Sequence, residues 1–161
     1  MNRDSSKGRP RALKLLIATE GVFALAGFAS AFGLLLSPSG KGMGFSLDLL
    51  DNTPLGDFTL VGVFFVAFYG VLPTLATYGL LTRKRWRWTD VINRWTGQHW
   101  GWTASATVGV ILLLWIAFEI ALLGVLSGIG GVLQAAMAAL GVWMLVLAFF
   151  PSVRSSMKLE D

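Results

Sequence analysis

The sequence contains no cysteine. That excludes disulfides, thiolate metal sites, cysteine nucleophiles and lipidation at cysteine. It contains one histidine, His99, so no multi-histidine metal centre can be assembled. Charge is scarce too. Only 14% of the 161 residues are Asp, Glu, Lys or Arg, against about 25% in an ordinary soluble domain. Catalytic signatures are also missing. No Gly-rich loop leads into a Lys followed by Ser or Thr, and neither HExxH nor GxSxG occurs. No filter-like loop marks an ion-selective pore. The two halves share no repeat of the kind that inverted-repeat transporters carry. No cofactor and no metal is expected, and the chain reads as a non-enzyme.

What is there is hydrophobic residue, 55% of the chain, gathered in four runs. They are Leu13 to Leu36, Phe58 to Leu81, Ala104 to Leu126 and Ile129 to Phe150. About 20 apolar residues suffice for a helix to cross a ~30 Å hydrocarbon core. The apolar residues go all round each run, which excludes soluble amphipathic helices. The first run is too long for a signal-peptide core and contains Glu20, so it reads as a retained helix. The expected fold is all-α, a polytopic membrane protein with four transmembrane helices. The expected division is a basic tail over 1–14, a membrane domain over 15–150 and a second tail over 151–161. Within the domain the expected spans are about 15–36, 58–81, 103–126 and 129–150.

Positive charge orients these spans. Arg3, Lys7, Arg9, Arg11 and Lys14 precede the first. Arg83, Lys84, Arg85, Arg87 and Arg94 lie between the second and third, and Arg154 and Lys158 follow the fourth. With four crossings these twelve share one side, and only Lys41 lies on the other. The positive-inside rule then puts both termini and the loop over 82–102 in the cytoplasm. The opposite loop holds "SLDLLDN", readable as a short helix with Leu47 and Leu50 inward and Asp48 and Asp51 in water. Asp48, Asp51 and Asp57 lack the dense oxygen spacing of a calcium loop and read as solvated.

The cytoplasmic loop carries five of the seven tryptophans. Trp88, Ile92 and Trp95 recur at helical spacing, the stripe of a short helix lying in the membrane interface, with Asp90, Asn93 and Arg94 outward. Arg83, Lys84 and Arg85 are expected at anionic headgroups. Trp86, Trp88, Trp95, Trp100 and Trp102 are expected in the aromatic belt, and His99 at a lipid headgroup. The topology places that face on the bilayer, which excludes a nucleic-acid partner.

Two carboxylates fall inside the runs. Glu20 is expected near the cytoplasmic interface, as an anchor or in an ion pair with the Arg83–Arg85 cluster, or against Tyr78. Glu119 lies deeper, toward the outer side, and Gln134 is at comparable depth across a tight turn. An interhelical hydrogen bond between these two is expected, with a protonated Glu119 donating to the Gln134 carbonyl. A carboxylate in a span is also a candidate for proton coupling. Pro73 is expected to kink the second helix, with Thr77 or Tyr78 covering freed carbonyls. Gly27 and Ala31, and Gly131, Ala135 and Ala139, form small-residue faces suited to close helix contact, inside the bundle or in a homo-oligomer.

Several strings carry a likeness. They are "LLLSPSG", "TPLGDF", "GLLTRKRW", "QHWGWTASATVGVILLLWIAFEI" and "FFPSV". Together they resemble a group of small, uncharacterised bacterial integral membrane proteins with four predicted helices, from about Leu15 to Val153. His99-Trp100-x-Trp102, Ser105, Gly109, Trp115 and Glu119 are the most specific part. The stretch "TLVGVF" lacks the Pro-Gly that similar proteins often carry there, so it is assigned no turn role. The resemblance implies four helices and the bacterial cytoplasmic membrane, and no chemistry. The functional expectation is an accessory or structural membrane subunit, with a membrane-protein partner or a second copy. The alternatives are a small proton-coupled transporter using Glu119 and a protein that binds lipid headgroups.

Overall fold

The computed structural model describes residues 9–51 and 53–159. Arg3 and Lys7 of the basic tail lie outside the described residues. Among the described residues six α-helices follow in order: α1 Arg11–Leu36, α2 Thr59–Thr82, α3 Asp90–Thr96, α4 Trp100–Leu123, α5 Gly128–Phe149 and α6 Pro151–Met157. Four of them, α1, α2, α4 and α5, are long and apolar enough to cross a membrane. Their outer faces are apolar. Val22, Leu25, Leu36, Ile129 and Val132 are each more than three-fifths exposed. A soluble monomer rarely shows apolar surface on that scale.

The spans form a ring. α1 packs on α2, α2 on α4 and α4 on α5, and α5 returns to α1. One end of the ring carries the loop over 37–58 and the turn over 124–127. The other carries α3, α6 and the start of α1, and is called the terminal end below. Close approach depends on glycine. A Cβ on Gly27 of α1 would overlap the Tyr69 carbonyl of α2, and one on Gly101 of α4 would lie 2.6 Å from the Gly79 carbonyl carbon. Gly109 and Gly141 make the α4–α5 crossing, each facing the other's carbonyl. The buried Gly27 and Ala31 are thus an internal packing face. Gly131, Ala135 and Ala139 are not at this crossing, and both alanines are exposed.

Proline shapes α2. Pro73 has no N–H to offer the Tyr69 carbonyl four residues back. The helix widens to a π turn over Val66–Val71 just before it. Thr74 Oγ1 donates to the Gly70 carbonyl at 2.8 Å. The expected helpers, Thr77 and Tyr78, do not serve here. The Thr77 hydroxyl has no partner and Tyr78 stacks on Trp86 instead.

The ends of the spans differ from the apolar runs. α4 begins at Trp100, three residues before the expected start at 103, and stops at Leu123 rather than 126. Polar capping explains the early start: His99 Nδ1 accepts from the Gly101 N–H at 3.1 Å. The segment after the fourth span is not a simple tail. Val153 and Met157 of α6 are buried, and Lys158 pairs with Gln98 in a β-bridge. In the opposite loop Leu47–Leu50 is a single 3-10 turn. Leu50 is buried, but Leu47 is exposed, contrary to the inward position expected of it.

Candidate functional site

Polar groups within the apolar bundle collect at two levels. At the loop end, Gln134 of α5 is buried and uses both ends of its amide. Its Nε2 donates to Glu119 Oε1 at 3.1 Å and to the Gly124 carbonyl at 3.3 Å, and its Oε1 accepts from the Leu126 N–H at 3.0 Å. The expected Glu119–Gln134 pair is present with its polarity reversed. The Leu126 N–H occupies the glutamine carbonyl, so Gln134 donates and Glu119 accepts. The same amide ties the α4–α5 turn, in which Gly124 takes a positive φ of 73°.

Glu119 borders a cavity with two adjoining lobes. One, of about 300 Å³, lies between the four spans against Phe23, Ser30, Tyr69 and Trp115. The other, of about 140 Å³, lies beneath the loop against Leu50, Leu55, Phe58 and Phe118. Phe65 and Trp115 line both. Rings make up much of the wall: Phe65 stacks on Tyr69 at 4.6 Å and meets Trp115 edge-on at 5.6 Å. Tyr69 is buried, and its hydroxyl has no hydrogen-bond partner. Such an orphan in an apolar wall is costly. The residues read from sequence as candidates, Glu119 and Gln134, are therefore brought together. Tyr69 and Ser30 join them unforeseen, and the only signal was a hydroxyl inside an apolar run.

Glu20 belongs elsewhere. It is fully buried and accepts a hydrogen bond from Ser105 Oγ of α4, while its Oε2 has no partner. Among the described residues neither Tyr78 nor the arginine cluster is bonded to it; Ser105 is its one hydrogen-bond partner. Ser105 and Glu119 are fourteen residues apart on α4, about 21 Å along the axis. The two carboxylates cannot act as a pair.

The terminal end divides the tryptophans into two sets. Trp88 and Trp95 are 66% and 94% exposed. With Val91 and Ile92 they give α3 an apolar outer face, while Thr89 and Asn93 are buried beneath it. Asn93 was expected outward. Its amide instead donates to Thr89 Oγ1 at 3.4 Å on the inner edge. Trp100 and Trp102 are 4% and 8% exposed, and His99 is buried with them. These three are not on a headgroup surface. Trp100 Nε1 donates to the Lys84 carbonyl at 2.8 Å, and Trp102 Nε1 to the Ala148 carbonyl at 2.7 Å. Trp86 is half-buried and stacks on Trp100 at 4.7 Å. His99 Nε2 lies 3.2 Å from the Lys84 carbonyl. With Nδ1 already accepting, Nε2 carries the proton. Burial, and the positive charges of Arg83 and Arg85 after it, hold the imidazole below its usual pKa despite the opposing carbonyl bonds. Arg83, Lys84 and Arg85 are exposed. Arg83 borders two open hollows, one shared with Arg9, Ser152 and Ser155 and the other with Arg85 and Lys158.

No family model matches the chain, and neither a curated protein nor a solved structure matches it. Among the described residues, no group of three or more His, Cys, Asp or Glu side chains could hold a metal ion.

Proposed function

We propose that the chain is a multi-pass protein of the bacterial cytoplasmic membrane, with both termini and the loop over 82–102 in the cytoplasm. It acts without catalysis, as an accessory or structural subunit. The observation that carries the placement is the terminal end itself. The apolar outer face of α3 stands beside the exposed Arg83, Lys84, Arg85 and Arg87. A short helix with Trp95 outward and Asn93 inward, and Trp88 exposed just before it, suits the headgroup boundary. The adjacent cations suit anionic lipid, each contributing about 1 kcal/mol near such a surface. The motif strings ally the chain with the small four-helix bacterial proteins. The absence of cysteine makes the test direct. Single cysteines replace Gly44 and Lys158, and intact cells are treated with a membrane-impermeant maleimide. Position 44 is expected to label at once, and position 158 only after permeabilisation. The reverse pattern overturns the placement. A membrane partner recovered at fixed stoichiometry supports the accessory role.

The cavity at Glu119 favours a second reading, a small proton-coupled transporter with Glu119 as the coupling acid. A carboxylate inside a span is a functional candidate by default. Proton release from proteoliposomes on addition of a transported cation, lost in Glu119→Gln, supports this reading. Release that persists in the variant removes Glu119 from it.

A further inference from the structure

We infer that the cavity beside Glu119 binds a lipophilic organic cation, an ammonium group carried on an apolar or aromatic body. The inference deepens the transport reading by naming the ligand class. Binding is measured apart from movement, so the two can fail separately.

Three observations converge on this class. First, Glu119 is only half satisfied. Gln134 reaches Oε1, and among the described residues no other hydrogen bond reaches the carboxylate. Neither lobe is lined by Lys or Arg among the described residues. A carboxylate against apolar walls favours a partner that brings positive charge. Second, the walls are aromatic. Phe65, Tyr69 and Trp115 present rings within one cluster, and ring faces attract a desolvated cation. Third, Glu119 lines both lobes while the Tyr69 hydroxyl is enclosed in the packing, so the carboxylate is the acceptor that the whole cavity shares.

The competing ligands fit less well. An anion would meet Glu119 with no cation to offset it. A purely apolar molecule would leave Glu119 Oε2 without a partner. A bare metal ion of the calcium type needs six to eight oxygen ligands, and the polar side chains lining the two lobes are those of Glu119, Gln134, Tyr69, Ser30 and Thr53. An ammonium needs only a few acceptors, and the cavity volume suits its hydrocarbon part.

The experiment titrates the purified full chain in detergent with phenethylammonium and with its neutral counterpart, 2-phenylethanol, by calorimetry. The wild type is expected to bind the ammonium saturably and at least about tenfold more tightly than the alcohol, as a close charge pair requires. Glu119→Gln should remove that preference and leave the alcohol unchanged. Glu119→Asp should keep part of it, and Ser30→Leu should weaken both ligands by filling the larger lobe. Equal affinity for the two ligands, no saturable binding, or a preference untouched by Glu119→Gln overturns the inference. The wild-type preference needs no variant, so a variant that fails to fold does not protect the inference. Binding without flux in proteoliposomes upholds the inference and removes the transport reading alone.

Discussion

Gln134 makes three hydrogen bonds from one buried side chain, and Gln134→Leu removes them all while nearly preserving volume. The bonds to Leu126 and Glu119 are 3.0 and 3.1 Å, and that to Gly124 is longer at 3.3 Å. Side-chain hydrogen bonds within membrane proteins average about 0.6 kcal/mol each, with a maximum near 1.7. Three therefore sum to roughly 2 kcal/mol. The loss is local before it is global, because two of the three bonds hold the α4–α5 turn. An opening free energy lowered by about 2 kcal/mol raises the open population roughly 30-fold. The Leu126 amide should then exchange with solvent deuterium about 30-fold faster in Gln134→Leu. Amides of Val108 and Leu112, in the middle of α4, should not change. The melting temperature in detergent should fall by about 4–8 °C on the scale of soluble domains of this size. Gln134→Glu sharpens the test. It keeps an acceptor for the Leu126 N–H but loses the donor and sets a second carboxyl beside Glu119. Like charges at that distance oppose each other, so this variant should be less stable than Gln134→Leu. An unchanged Leu126 exchange rate in Gln134→Leu would refute the idea that this side chain ties the turn.

Two further predictions concern packing and pH. Gly27→Ala places a methyl against the Tyr69 carbonyl, which is backbone and cannot swing aside; overpacking of this kind costs about 1–3 kcal/mol. Gly21→Ala on the same helix meets nothing within 4 Å and should be neutral or stabilising through helix propensity. Thermal melts that rank the two variants equally would contradict the close α1–α2 approach. His99 has a folded-state pKa below its ordinary 6.5. The unfolded chain therefore binds the proton more readily, and the stabilisation is present above about pH 6.5. It declines as pH falls through 6.5 and levels off below the folded-state pKa. Melts from pH 8 to 5 should show this decline, and His99→Asn, which keeps a capping side chain, should flatten it.

The number of spans and their rough ends were legible because each is a local property. Leu13 to Leu36 is long enough and apolar enough whatever it packs against. The Glu119–Gln134 pair was legible for a related reason, since a tight turn between two spans leaves few other partners at that depth. Inward and outward faces were not legible. A globular helix shows its buried side by hydrophobicity, but a span is apolar all round, so Leu25 and Leu34 look alike in sequence. One is almost three-quarters exposed and the other is buried. Glycine positions decide instead, and which of the nineteen glycines matter depends on the neighbouring helix.

The tryptophans mark the division most clearly. The sequence by itself determined that a basic, Trp-rich segment joins the second and third apolar runs. It also determined that Trp88, Ile92 and Trp95 share one face of a short helix, because spacing along the chain fixes facing around a helix. Only the tertiary structure decided that Trp100 and Trp102 turn inward with His99. Their N–H groups find the Lys84 and Ala148 carbonyls, and those carbonyls are brought within reach by the ends of α2 and α5. The same holds for Glu20. Its depth in the run was readable, but its partner is Ser105, 85 residues away. A buried polar group is satisfied by whatever the fold places beside it, and proximity across 85 residues is a property of the packed bundle.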